Sequence, residues 1–263
     1  MNATIETIGP AEAEFYLGKN KENRLLRKHY VDYISTEMVS GRWKENGEAI
    51  IIGNDGIIKD GQHRLSAIVK TGKTYRFVIV RQVENDVFST IDCGLSRNSR
   101  DALALKGEVN CTHIASVLPW VFKYYSGELH HGGKSFMKNS PSHTVELLNL
   151  YPEARDTYEK KMFLYGPPSI LGACKVIFGR IDADDCKTFF SRLISGEGLL
   201  SYEPEYLLRE RLIQNKGAKA KLKSKYIFAL VIKSWNYRRK GLSPKCLKYS
   251  EEGPTKEAFP IAI

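Results

Sequence analysis

Long apolar runs are missing from this chain. The longest, Tyr226 to Ile232, falls far short of the roughly 20 residues a membrane-spanning helix needs. The opening stretch MNATIETIGPAEAEF has neither a basic n-region nor an apolar h-region, so we expect no secretory signal and no membrane partner. Cysteine is scarce: Cys93, Cys111, Cys174, Cys186 and Cys246 are odd in number, and no two have CxxC spacing. That gives no support to a zinc knuckle or a disulfide framework, and we expect reduced thiols in a cytoplasmic protein. A reactive thiol at Cys93, near Arg97 and Arg100, would need a local positive field. His130, His131 and His143 are too loosely arranged to suggest a metal site. Repeats and low-complexity tracts are also missing.

Acidic residues are absent from Lys216 to Lys248, where the chain carries Lys216, Lys219, Lys221, Lys223, Lys225, Lys233, Arg238, Arg239, Lys240, Lys245 and Lys248. This block supplies much of the formal net charge of +10. Such a stretch suits a polyanion, because each neutralised phosphate releases counterions. Lys219, Lys221, Lys223, Lys225, Arg238 and Arg239 are the candidate DNA contacts, with Tyr226, Trp235 and Tyr237 interleaved. The alternative is a solvated helix surface around an ordinary apolar face.

With 263 residues there is room for one large domain or two small ones. The first hundred predict short strands and helices: a strand to residue 9, a helix from Pro10, a helix from Leu25 to Val39, and strands at Ala49–Ile52 and from Ile57. A helix follows from Gln62 to Lys70, then a strand from Tyr75 to Val83. Asn54-Asp55-Gly56 is a hairpin-turn signal. Beyond residue 100 the pattern is helical: Asp101–Leu105, Thr112–Tyr125, Ser142–Leu150, Pro152–Lys161, Ile170–Phe178, Asp184–Ile194, Glu203–Gln214 and Lys223–Arg239. Gly127 to Ser140 reads as a loop and residues 251–263 as an extended tail. We therefore expect an α+β fold, with a mixed domain at 1–100 followed by an all-helical domain at 101–263 that carries the basic C-terminal helix.

The segment from Ile57 to Ala67, IIKDGQHRLSA, joins a hairpin strand to a helix. Gly61 allows a left-handed turn or close approach of the backbone. The first N–H groups of the helix lack internal partners and sit at the positive end of its dipole, which makes an anion site. Arg64 adds a planar fork matched to phosphate oxygens, and Gln62 and His63 can add donors. Asp60 can cap the helix, hold a cation or accept a proton. Glu48, just before the preceding strand, could act as a general base or stand as an exposed strand-start residue. Asp92 could hold a metal or set a loop. Arg97 and Arg100 could reach phosphates from the following segment, and Lys70, Lys73 and Arg76 could broaden the basic surface.

The run strand–turn–strand–DGQHRL–helix–TGK–strand resembles the ParB/sulfiredoxin-like superfamily over roughly residues 1–100. In that superfamily a G-x-x-R core cradles nucleotide phosphates, and Gly61, Gln62, His63 and Arg64 match it residue by residue. The wider text from Gly56 to Leu105 resembles a group of phage and prophage proteins described as ParB-like. Their DTGRxRT-like box corresponds to Asp92-Cys93-Gly94-Leu95-Ser96-Arg97 and departs at Cys93 and Leu95. Members of the superfamily include CTP-binding clamps, ATP-using sulfinic-acid reductases, free-serine kinases and nucleases. Sulfiredoxin chemistry needs a cysteine beside the phosphate motif, and DGQHR has none. A partition role lacks a helix-turn-helix signature in the helical half. The resemblance thus implies a nucleotide-binding protein of a bacterial host cytoplasm, using ATP or CTP with Mg²⁺ held at Asp60, acting in phosphoryl transfer or nucleotide hydrolysis linked to DNA. A non-enzymatic DNA-binding module and a metal-dependent nuclease are the alternatives, and a homodimer is compatible with all three.

Overall fold

The computed structural model describes residues 1–20, 23, 25–85, 87, 91, 98–131, 140–254 and 256–263. The chain divides into two compact units, Met1–Ser96 and Arg97–Ile263, and its content is mixed α and β, as the α+β expectation requires.

The first unit is built on a four-stranded sheet of order β1-β4-β2-β3. Strand β1 (Asn2–Ile8) pairs antiparallel with β4 (Tyr75–Val83), β4 pairs parallel with β2 (Ala49–Gly53), and β2 pairs antiparallel with β3 (Ile58–Asp60). The β2–β3 hairpin closes as the Asn54-Asp55-Gly56 signal requires. Gly56 takes φ +71°, its N–H donates to the Gly53 carbonyl at 2.9 Å, and the Asp55 carboxylate accepts the Ile57 N–H at 2.9 Å. Helices α1 (Pro10–Gly18), α2 (Lys28–Val39) and α3 (Gln62–Thr71) pack together. Their apolar positions Ala13, Val31, Ile34, Met38, Leu65 and Ile68 meet Ile50, Ile52, Ile58, Phe77 and Ile79 of the sheet. Phe77 and Ile79 are buried at alternate positions of β4, as a period of two demands.

The second unit is helical: α4 (Ser99–Ala104), α5 (Cys111–Tyr125), α6 (Glu128–His131), α7 (Pro141–Leu150), α8 (Pro168–Ile181), α9 (Ala183–Ser195), α10 (Pro204–Gly217) and α11 (Ser224–Arg239). Phe178 of α8 stacks on Trp235 of α11 with centroids 4.4 Å apart, and Phe189 of α9 meets Trp235 edge-on.

Three sequence expectations change here. Pro152–Lys161 is not one α-helix but two short 3₁₀ segments, Pro152–Thr157 and Lys160–Leu164. The break falls at Tyr158 and Glu159, which are both extended, at φ −73°, ψ 123° and φ −146°, ψ 120°. Within the expected loop after Gly127, residues Glu128–His131 form the short helix α6, and 132–139 lie outside the described residues. The C-terminal stretch is extended but not a loose tail. Phe259 is buried, the Ile263 carbonyl accepts the Trp235 indole N–H at 2.8 Å, and the Ala262 N–H donates to the Tyr124 hydroxyl at 2.8 Å.

Candidate phosphate site

Gly61 is the N-cap of α3, with φ +102°. A Cβ there would come within 3.0 Å of Ile50 Cγ1 and 3.2 Å of Ile50 Cα. Glycine is therefore required twice over, by its backbone angle and by the close passage of β2 behind it. Gly72 closes the helix in the left-handed region at φ +65°.

The next two side chains turn inward. Gln62 is buried, and its Oε1 accepts the Asn20 amide at 2.9 Å. Asn23 donates to both Asn20 Oδ1 and the Ile58 carbonyl. His63 is buried too, under the edge of Tyr30, and its Nε2 accepts the Arg27 backbone N–H at 3.1 Å. These two side chains anchor the segment before α2 to the helix rather than offering outward donors. What remains to face a ligand is the helix terminus, with its first-turn N–H groups and dipole, and Arg64.

Arg64 is 11% exposed and gathers three oxygens. Its Nη1 donates to Glu48 Oε2 at 2.7 Å, and its Nη2 donates to Asp60 Oδ2 and to the Ala49 carbonyl, each at 2.7 Å. Its Nε is buried without a hydrogen-bond partner among the described residues. Glu48 is thus both an exposed strand-start residue and a neighbour of Asp60, the two carboxylates meeting on one guanidinium. The Ala49 carbonyl was not foreseeable from residue types, because only the strand register brings it there. Lys70 is paired with Asp32 and Arg76 with Glu45, while Lys73 is exposed. Arg97, Asp92 and Cys93 lie outside the described residues.

A divalent cation fits the donor set here. Two carboxylates on one guanidinium leave an excess of negative charge. Among the described residues no three His, Cys, Asp or Glu side chains group into a metal cage. Mg²⁺, however, characteristically takes one or two carboxylates and completes its shell with water and substrate phosphates.

The basic C-terminal stretch is not the free cationic face its composition suggested. Helix α11 is the buried centre of the second unit, with Ile227 to Ile232 and Trp235 in the core. Arg238 pairs with Asp185 and Glu205, Arg239 with Asp182 and Asp185, Lys225 with Glu251, and Lys233 with Glu257. Lys221 donates to the Asn215 and Lys216 carbonyls at the end of α10. Of the six expected DNA contacts, Lys219 and Lys223 are exposed and take no part in these pairings. His143 of α7 is buried and packs edge-on against Phe122.

No protein-family model, curated protein or solved structure matches this chain, so the superfamily resemblance stands on its own residues. Fold and site together define an α+β protein whose mixed unit presents an arginine and two carboxylates at a glycine-capped helix N-terminus.

Proposed function

We propose that the first unit binds a nucleoside triphosphate as its Mg²⁺ complex and transfers or hydrolyses the terminal phosphoryl group. The observation that carries this is Arg64, held by Glu48, Asp60 and the Ala49 carbonyl beside the N-terminus of α3. The charge balance decides the ionic requirement. A bare triphosphate would meet two carboxylates and one guanidinium and be repelled. Mg²⁺ held by Asp60 would reverse that balance and neutralise charge on the transferring group. Arg64, released from one carboxylate, would turn its fork to the phosphate oxygens. Glu48, the carboxylate not on the cation, would accept the proton of the attacking hydroxyl or water. The bond from the terminal phosphorus to its bridging oxygen would break, leaving a nucleoside diphosphate.

Calorimetric titration of ATP and CTP, with and without Mg²⁺, into wild type, Arg64→Lys and Arg64→Ala tests this. We expect binding only with Mg²⁺, weakened at least about tenfold in Arg64→Lys and lost in Arg64→Ala, since a lysine keeps the charge without the fork. Circular dichroism of each variant checks that folding is intact. Binding that ignores both Mg²⁺ and Arg64, or no binding of either nucleotide, defeats the proposal.

A further inference from the structure

The sheet of the first unit ends in two edges, and the chain treats them differently. At one edge, β3 is three residues long, and its Ile58 carbonyl is taken by the Asn23 side-chain amide. A short strand and a covered backbone are both ways of guarding an edge against pairing. At the other edge, β1 runs for seven residues, longer than the common strand of about five to six. Strand β4 fills one side of it in unbroken register, from Asn2↔Arg81 to Ile8↔Tyr75. Among the described residues no strand pairs with the other side. Asn2, Ala3, Thr4, Ile5 and Thr7 are exposed. The strand has no proline, no lysine and no bulge, the devices that usually blunt an edge. Its outward N–H and C=O groups form a ready template for one more strand.

The side chains of β1 favour a second copy of the same strand. Glu6 is its one charged residue, and Arg81 of β4 neutralises it. Two copies related by a two-fold axis run antiparallel. The register that overlaps all of Asn2–Ile8 sets the axis at Ile5, the middle residue. Ile5 is 58% exposed and would face Ile5 of the other copy, which covers an apolar side chain with its like. Thr4 would face Glu6 of the other copy on both sides of the axis. That pair is complementary, since the Thr4 hydroxyl already donates to the Glu6 carboxylate within one chain. Ala3 would face Thr7, and nowhere along the seam would like charges stand opposite one another.

We propose that the chain forms a two-fold homodimer through β1, joining the two sheets into one continuous antiparallel seam. Strand β4 separates β1 from β2 and β3, so the seam lies at the edge of the sheet away from Glu48, Asp60 and Arg64. Dimerisation therefore leaves the phosphate site open and does not depend on what binds there.

The test uses the full chain as wild type, Ile5→Lys, Ile5→Glu and an equimolar mixture of the two variants. Sedimentation across a concentration series reads the mass of each. Ile5 is exposed, so neither substitution empties the core, and circular dichroism checks the fold of both. We expect wild type to pass from monomer to dimer as concentration rises. Each variant alone loses the Ile5 pair and sets like charges across the axis, so it should dimerise at least about tenfold more weakly. The mixture sets lysine against glutamate and should recover the dimer as a heterodimer. Amide exchange read by mass spectrometry should show protection of the β1 peptide rising with concentration in wild type and not in Ile5→Lys. The proposal is overturned if wild type stays monomeric, or if Ile5→Lys dimerises as well as wild type does. It is equally overturned if the mixture recovers no dimer, or if β1 protection ignores concentration.

Discussion

Replacing Gly61 with alanine isolates the device that positions Arg64. Two costs add. The backbone angle of +102° lies beyond the usual left-handed basin, and holding a non-glycine residue there costs about 1–3 kcal/mol. The new Cβ would also stand 3.0 to 3.3 Å from three atoms of Ile50, one of them backbone. Strand β2 is buried at Ile50 and hydrogen-bonded to two neighbours, so it cannot retreat freely, and overpacking of this kind costs about 1–3 kcal/mol. Together these predict a loss of about 2–4 kcal/mol in the first unit after allowing for partial relaxation and the stiffer unfolded chain. Gly72, at the other end of the same helix, is the control. Its φ is +65° and a Cβ there meets nothing within 4 Å, so Gly72→Ala should cost only about 1 kcal/mol.

Amide hydrogen exchange read by mass spectrometry separates the two units, which a single unfolding curve would blend. Protection of β2 and α3 peptides should fall about 30- to 1000-fold in Gly61→Ala, at tenfold per 1.4 kcal/mol. It should fall about tenfold or less in Gly72→Ala, with peptides of α8 and α11 unchanged in both. Equal effects at the two glycines would refute the close-passage argument. An unchanged Gly61→Ala would refute the backbone argument as well.

Two other outcomes follow from charge placement. Arg81, and then the Thr4 hydroxyl, hold the Glu6 carboxyl down at about 2, against an ordinary value of 4.5. Because the folded value is depressed, the stabilisation is complete above 4.5 and disappears as pH falls toward 2, and Glu6→Gln should flatten the acid limb of first-unit stability in that window; an unaltered limb contradicts the assignment. Glu205 is almost fully buried between Arg192 and Arg238. Its removal leaves Arg192 with Glu203 and Arg238 with Asp185, so Glu205→Ala should cost about 2–3 kcal/mol in urea unfolding of the second unit, less than a wholly orphaned buried charge would; a cost under about 0.5 kcal/mol would mean the network is merely superficial.

What was legible in the sequence is what local chemistry decides. Tyr75–Val83 was readable because a branched run follows Thr71-Gly72, and Asn54-Asp55-Gly56 because its side chain and its glycine make the turn unaided. Gly61 was readable as a left-handed position, and Arg64 as the charged residue one turn into the helix. The direction of Gln62 and His63 was not, because it depends on Asn20 and Arg27, which arrive from a segment about 40 residues earlier. Nor was the fate of the basic block. Its acid-free span reads as wholly unbalanced along the chain, whereas Lys225, Lys233, Arg238 and Arg239 find their partners Asp182, Asp185, Glu205, Glu251 and Glu257 outside it.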